Sequence, residues 1–407
     1  MNKSITQFLE IKNYLIYSTR QNLNNELIVK IGRPTNGDKC PICNKNKHII
    51  HSSGTWQLKK HSHFQEKPFY LEIRRKRLKC KNCGNIFTQK FPGIEKYSRK
   101  TKNFEIQSLN YLSKNSFKEV GNVNKISYST LKKQLYNYVN PYELTIKRFE
   151  LLQKQDEIFL GFDGQSFRGQ EMILTITEVS LKELITILPS EKQCDLIKFL
   201  NLMPTELRQK VKGITTDMTN KHIKIFRKYF PTAKIVIDHY HVVQYFIQLM
   251  QKTRRLDQNV LRINIPIKKE LDKNIESLTS EEKQKLLKYF LLNPDIKEAY
   301  LFKEKLRSIY KTTSYKKARQ KYIKLKNELL NSKNPYMQEL GRTLRNWQDE
   351  ILNYFIHRIT NAYTEGLHTR CKLIKRKSFG FRNVQTYVRK LILGLFPLLF
   401  ILSHHTC

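Results

Sequence analysis

Three acidic residues stand where the chain pattern would hand a carboxylate to a reaction. Asp163 closes the apolar run EIFLGFD, Asp217 closes GITTD, and Glu365 precedes Gly366 in NAYTEGLHTRCKLIKRKSFGFRN. Between successive members lie 53 and then 147 residues. Three such carboxylates, brought together, can hold two Mg²⁺ (or Mn²⁺) ions about 3.5–4 Å apart, one for an attacking oxygen and one for a leaving oxygen. Mg²⁺ suits the set because it takes hard oxygen ligands and shares its shell with substrate phosphate. Lys372, Lys375, Arg376, Lys377 and Arg382 follow Glu365, a cationic grip for a phosphodiester backbone. A lone Asp before a helix is as often a cap, and Asp217 before Met218-Thr219-Asn220 fits that role too; two apolar strands ending in Asp, joined by a Glu among cations, favour the metal site. Asp238, at the end of AKIVID, is the rival second carboxylate, on a strand expected one place further from Asp163. The run DHYH, Asp238 to His241, can itself be read as a metal cluster, although a polar strand end is the more ordinary explanation.

A second chemistry is carried by cysteine. CPIC (Cys40, Cys43) and CKNC (Cys80, Cys83) are two tight-turn pairs separated by 36 residues. Four thiolates make a closed tetrahedral Zn²⁺ site, structural rather than catalytic. The gap exceeds the usual ~15–20 residues, but His48 to Lys59 and Phe69 to Leu78 read as strands, and a hairpin would bring the pairs together. His61 and His63 are possible substitute ligands. Cys194, Cys371 and Cys407 show no His–acid arrangement and read as structural or incidental.

The elements that must position these groups follow from periodicity. Residues 1–35 form an N-terminal lead-in, read as an amphipathic helix and an extended segment, and 36–95 form the zinc ribbon. In its second strand, FYLEIRRKRLKC, apolar and basic residues alternate, so Arg74, Arg75 and Arg77 are candidates for DNA phosphate. Residues 100–145 read as a helix-turn-helix: Ser116 and Glu119 form a capping box, and a second helix from Ser127 presents Ser127, Tyr128, Lys132 and Lys133 opposite Leu131, Leu135 and Val139. Over 156–242, three strands in hairpin order are followed by strand, helix and strand, with one helix expected from Asp195 to Val211. That is the ribonuclease-H order, in which the fourth strand lies parallel beside the first, so Asp163 and Asp217 would meet. Residues 243–346 are an all-helical insertion, and 347–407 return to the core with the helices that carry Glu365, beginning with a single helix from Trp347. The fold class is therefore α+β and multidomain: a zinc ribbon, a helix-turn-helix, and a ribonuclease-H-like mixed α/β core interrupted by helices.

Composition narrows the partners. Of 407 residues, 75 are Lys or Arg and 35 Asp or Glu, a formal charge of +40 that attracts polyanions, nucleic acid above all. The apolar stretch from Leu391 to Leu402 is shorter than the ~20 residues a bilayer span needs, so no membrane role is expected. No secretory leader is recognisable, and paired cysteines then point to metal in a reducing, cytoplasmic setting. No Gly-rich phosphate loop is present, which argues against nucleotide triphosphate chemistry.

Taken together, CPIC…CKNC followed by IFTQ, SFKEVGNVNKISYSTLKK, GFDGQSFRG, ITTDM, AKIVIDHYHVVQ and NAYTEGLHTRCKLIKRKSFGFRN resemble the ISL-three family of insertion-sequence transposases, a DDE group, over nearly the whole chain. The resemblance implies a ribonuclease-H-like core broken by helices, with the acidic triad on Asp163, Asp217 and Glu365. It also implies binding of double-stranded DNA at element terminal repeats and at a target, metal-dependent cleavage and strand transfer, and a homodimer or larger assembly at the nucleoid. Two departures stand out. Gly164 occupies a place where relatives often carry a second acid, and Asn361-Ala362-Tyr363-Thr364 leads into Glu365 where Asn-Gly is common. A DNA-binding regulator or inactive copy, and a nuclease without strand transfer, are the competing readings.

Overall fold

The computed structural model describes residues 14–64 and 67–403. The first part of the 1–35 lead-in, where an amphipathic helix was expected, and Cys407 lie outside them. Two compact units emerge: residues up to Val139 together with those from Leu373 onward, and Asn140–Lys372.

The first unit opens with β1 (Leu15–Gln21) and β2 (Leu27–Gly32), an antiparallel pair. The lead-in is thus sheet from Leu15 onward, correcting the reading of 1–35 as a segment apart from the ribbon. The reason is burial: Val29 and Ile31 are sealed against Phe69, Leu71 and Ile73 in a small core of their own. β3 (His48–Phe64) and β4 (Lys67–Cys80) form the long hairpin, β2 runs parallel to β4, and β5 (Ile86–Thr88) adds to the end of β4. Three helices follow: α1 (Lys102–Lys114), α2 (Phe117–Asn124) and α3 (Tyr128–Tyr138). The capping box of Ser116 and Glu119 starts α2, left-handed Lys125 ends it, and Ser127 caps α3 through Thr130 N. Leu131, Leu135 and Val139 are fully buried.

The second unit begins with α4 (Pro141–Leu152) and then builds a mixed sheet from β6 (Ile158–Arg168), β7 (Glu171–Glu178) and β8 (Glu183–Leu188), an antiparallel meander. The helical stretch expected from Asp195 to Val211 is broken into α5 (Gln193–Leu202) and α6 (Thr205–Gln209). Pro204 explains the break, since it lacks a backbone donor and biases Met203 away from the helical region. β9 (Val211–Thr216), α7 (Ile223–Tyr229) and β10 (Lys234–Ile237) complete the sheet in the order β10-β9-β6-β7-β8, with β9 parallel to both β6 and β10. A long α8 (His239–Leu261) leads into α9 (Lys268–Asp272), α10 (Ser280–Leu292), α11 (Pro294–Tyr310), α12 (Tyr315–Leu330) and α13 (Pro335–Asn346). These helices share one continuous apolar core with the sheet, from Phe149 to Phe355.

The single helix expected from Trp347 is two short ones, α14 (Gln348–Leu352) and α15 (Tyr354–His357), ended by Arg358 at φ 57°. That reversal lays residues 359–361 across the sheet before α16 (Ala362–Lys377) begins. Two glycines make room for it. A Cβ on Gly161 would stand 2.8 Å from Asn361 Oδ1 and 2.6 Å from Thr177 Oγ1, and one on Gly213 would stand 2.9 Å from Ile359 Cδ1. The last helices, α17 (Val384–Leu395) and α18 (Leu398–Leu402), group with the first unit, not with the core to which 347–407 as a whole was assigned. There Tyr136 Oη meets Thr386 Oγ1 at 2.9 Å, and Lys390 Nζ donates to Leu112 O and Asn115 O. Among the described residues no helix is long and apolar enough to cross a membrane.

Candidate active site

Strand register brings the acids to one edge. Gly161 lies beside Thr215, and Thr215 beside Val236. Two residues further along each line stand Asp163, Asp217 and Asp238, in one row: Asp217 and Asp238 just past the ends of β9 and β10, and Asp163 in the middle of β6, which pairs with β7 as far as Arg168 and does not end at Asp163 as expected. Side chains in one row of a sheet share a face, so the parallel registers of β9 against β6 and β10 gather carboxylates separated by tens of residues.

The three aspartates are used differently. Asp238 is 1% exposed and both its oxygens are occupied: Oδ1 accepts from Tyr240 N at 2.8 Å, capping α8, and Oδ2 accepts from Asn361 N at 2.5 Å. It ties the start of α8 to the segment that precedes α16. The rival for the second carboxylate is therefore committed to the backbone. Asp217 Oδ1, in contrast, is a buried atom whose close neighbour is His241 Nε2 at 2.7 Å, and Glu365 Oε1 is a buried atom without a hydrogen-bond partner. Asp163 is 5% exposed; its Oδ2 lies 3.4 Å from His368 Nδ1. Buried carboxylate oxygens left without donors are what a bound cation would satisfy.

Asp163, Asp217 and His241 each offer a ligand atom, all within 4.8 Å of one another. Glu365 is not in that cluster. It remains within electrostatic reach, because burial first, and then Asp238 and Asp217 among others, hold its carboxyl above the ordinary range. The structure thus brings together two of the three sequence-derived acids with a histidine, and places the third farther out. Burial, then Asp217, pushes the Asp163 carboxyl up to about 7. His241 is pushed up to about 9, chiefly by the Asp217 carboxylate beside it. His368, buried near Lys372, is pushed down to about 4 and so is neutral.

Glu365 is presented by a docked helix. Thr364 Oγ1 meets Thr177 Oγ1 at 2.7 Å, and His368 Nε2 meets Thr175 Oγ1 at 3.0 Å, all four residues buried. Four helical residues rise about 6 Å and two strand residues span about 6.6 Å, so the first turns of α16 match β7 rung for rung. Thr364, within the loosely matching approach to Glu365, is thus a contact that fixes the helix. Gly164 has a local reason as well: Glu191 Oε1, paired with Lys221, lies 1.7 Å from where its Cβ would stand. Thr175, Thr177, Asn361 and His368 were given no role by the sequence, and His241 entered only as part of DHYH, where a polar strand end was the more ordinary explanation. The alternating threonines of β7 and the four-residue spacing of Thr364 and His368 were the available signals.

In the first unit the four cysteines converge. Cys40 Sγ and Cys83 Sγ stand 3.6 Å apart, and Cys43 Sγ and Cys80 Sγ 3.5 Å, near the roughly 3.8 Å edge of a tetrahedron with Zn–S of about 2.3 Å. Both turns are built alike. Asn44 N donates to Cys40 O and Gly84 N to Cys80 O, with Asn44 and Gly84 at positive φ. Backbone donation from Cys43 is the chief cause that pushes the Cys40 thiol down to about 6, toward the thiolate a metal needs.

The sequence-derived DNA contacts divide. Arg74 and Arg77 on β4 are exposed, but Arg75 is not available: it donates to Gln89 O and Ile94 O and lies over Phe91. The alternation of β4 reverses between Ile73 and Leu78, which turns Arg75 inward. Tyr128 and Lys133 are exposed, Ser127 is spent on capping α3, and Lys132 is half-buried with Nζ over the Tyr136 ring. Lys372, Arg376, Lys377 and Arg382 are exposed, and Lys375 is half-buried.

The mixed sheet thus gathers Asp163, Asp217 and Asp238 in one row, with His241 beside Asp217. The family model DDE_Tnp_ISL3, described as "Transposase", matches residues 160–391, from β6 through α17. The chain belongs to this ISL3 family of DDE transposases. It is 21% identical over 337 residues to the transposase for insertion sequence element IS1001 of Bordetella parapertussis, covering 80% of this chain and 81% of that one. It is 22% identical over 284 residues to the transposase for insertion sequence element IS1557 of Mycobacterium tuberculosis, covering 62% of each.

Proposed function

We propose that the chain cuts DNA at the ends of its own mobile element and joins those ends to a target duplex. In the first step the bond between phosphorus and the 3′ oxygen at an element end breaks as water adds to phosphorus, leaving a 3′-hydroxyl. In the second, that hydroxyl attacks a target phosphodiester and displaces the neighbouring 3′ oxygen, which leaves with a proton. The observation that carries this reading is the row of Asp163 and Asp217 on adjacent parallel strands, with Glu365 brought over the sheet on α16. The orphaned buried oxygen of Glu365 and the close set of ligand atoms at Asp163, Asp217 and His241 support metal binding there. Mg²⁺ or Mn²⁺ held at Asp163, Asp217 and Glu365, two ions per site, would supply electrostatic stabilisation to the attacking and leaving oxygens. The protein's part is to keep these side chains preorganised: Asp238 holds Asn361, Thr177 holds Thr364, and His368 borders Asp163.

The core is read as ribonuclease-H-like, spanning 156–242 and the segment around Glu365, with 243–346 as its helical insertion. In the first unit, Cys40, Cys43, Cys80 and Cys83 would hold one structural Zn²⁺ in a zinc ribbon, and α2 with α3 would act as a helix-turn-helix. Arg74, Arg77, Tyr128, Lys133, Lys372, Lys375, Arg376, Lys377 and Arg382 would grip the DNA backbone. Two element ends must be handled together, so a homodimer or larger assembly on DNA, working in the cytoplasm at the nucleoid, fits best. The test incubates the intact chain and Glu365→Gln with labelled element-end duplex, target plasmid and Mg²⁺. Joined products from the intact chain alone support the reading. Binding without cutting by the intact chain marks a regulator or an inactive copy, and cutting without joining marks a nuclease.

A further inference from the structure

We infer that His241 is a metal ligand, so that the inner subsite of the metal centre is a mixed Asp163–Asp217–His241 set with a preference for Mn²⁺ over Mg²⁺. This rests on the metal reading above and extends it to a residue outside the acidic triad. His241 sits in the first turn of α8, three residues after Asp238. Residues three apart share a helix face, so the cap that Asp238 places on Tyr240 N also turns the imidazole back over the strand ends. His241 Nε2 and Asp217 Oδ1 stand 2.7 Å apart. Both atoms are buried, and their close contact does not meet the geometry of a hydrogen bond. Asp163 offers a third ligand atom, and the three lie within 4.8 Å of one another, close enough to share one ion. Adjacent ligands of an octahedral ion at about 2.1 Å are separated by about 3 Å, close to the observed spacing.

The chemical consequence is selectivity. Mg²⁺ seeks oxygen and gains little from imidazole, whereas imidazole favours later divalent metals, Mn²⁺ being the mildest of these. His368 is the competing imidazole, with Nδ1 3.4 Å from Asp163 Oδ2, but it does not join the close set that Asp163, Asp217 and His241 form.

The experiment uses the full chain stripped of metal. Free Mn²⁺ is followed by electron paramagnetic resonance during titration, with Mg²⁺ as competitor, for the intact protein, His241→Asn and Asp217→Asn. Loss of a ligand should weaken Mn²⁺ at least tenfold, the lower end of what even outer-shell changes produce, and shift Mg²⁺ competition less than threefold. Pulsed resonance on the Mn²⁺-loaded intact protein should show nitrogen coupling that His241→Asn abolishes, and the intact-protein signal stands even if that variant folds poorly. Absence of nitrogen coupling, or equal Mn²⁺ affinity in His241→Asn with loss in Asp217→Asn, overturns the histidine ligand and leaves the carboxylate site intact. Failure of the intact protein to bind Mn²⁺ at all overturns the metal reading on which it stands.

Discussion

Replacing Asp163 with Asn should stabilise the metal-free protein while abolishing its chemistry. Asp163 is 5% exposed, and its carboxyl is raised from an ordinary 3.8 to about 7, by burial and then by Asp217. A raised carboxyl pKa means that the folded state binds a proton the unfolded chain releases. Stability contributed by that proton is whole below about pH 3.8 and is lost as pH rises toward 7, with no further loss above. A gap of about three pH units at about 1.4 kcal/mol each gives an upper bound of about 4 kcal/mol. Shared titration with Asp217 and local relaxation bring the expected gain of Asp163→Asn at pH 8 to about 1–3 kcal/mol. At pH 4 the gain should vanish. Urea unfolding in EDTA at pH 4, 6 and 8 measures this directly. Addition of Mg²⁺ at 100 times its Kd should restore about 2.7 kcal/mol to the intact protein at pH 8 and far less to the variant. A variant destabilised equally at pH 4 and pH 8 would refute the claim that buried charge, and not packing, governs this site.

Other expectations follow from single contacts. Gly161→Ala drives a methyl into Asn361 and Thr177, so it should lower stability by about 1–3 kcal/mol and reduce joining per folded molecule by displacing α16; thermal melts and single-turnover assays separate the two. Arg75→Met removes the donor to Gln89 O and Ile94 O, and should cost about 1–3 kcal/mol without changing the salt dependence of DNA binding. Arg77→Ala and Arg382→Ala should do the reverse, each flattening the salt slope by about one while leaving melts unchanged. Metal analysis should find one Zn²⁺ per chain, lost in Cys43→Ser, with chelation exposing residues 36–95 to protease.

Much of the catalytic unit was legible because its signals are local. Asp163 and Asp217 each close an apolar run, and three strands in hairpin order followed by strand, helix and strand is an order in which the fourth strand lies parallel beside the first, as β9 does beside β6. Glu365 was marked by its basic surroundings. What was not legible depends on contacts distant in sequence. Nothing near His241 announces that it stands 2.7 Å from Asp217, and nothing near Asp238, ranked as a rival below Asp217, announces that Asn361, over a hundred residues later, donates to its oxygen. Arg75 reads as basic like its neighbours, and only the packing of Phe91 and Ile94 draws it inward. β1 was missed because it is short and mostly exposed, and β2, though apolar as LIVKIG, becomes part of the sheet only through its pairing with β4, some forty residues later. The grouping of the last helices with the first unit rests on Lys390 and Thr386, which carry no sequence signature for it.

The central claim is that Asp163, Asp217 and Glu365 hold divalent metal for phosphodiester chemistry, and crystals of the full chain soaked in Mn²⁺ test it most directly. Anomalous scattering should show ions against Asp163 and Asp217, with a second within about 4 Å on the Glu365 side. Manganese found only elsewhere on the molecule, with that carboxylate edge bare, would contradict it.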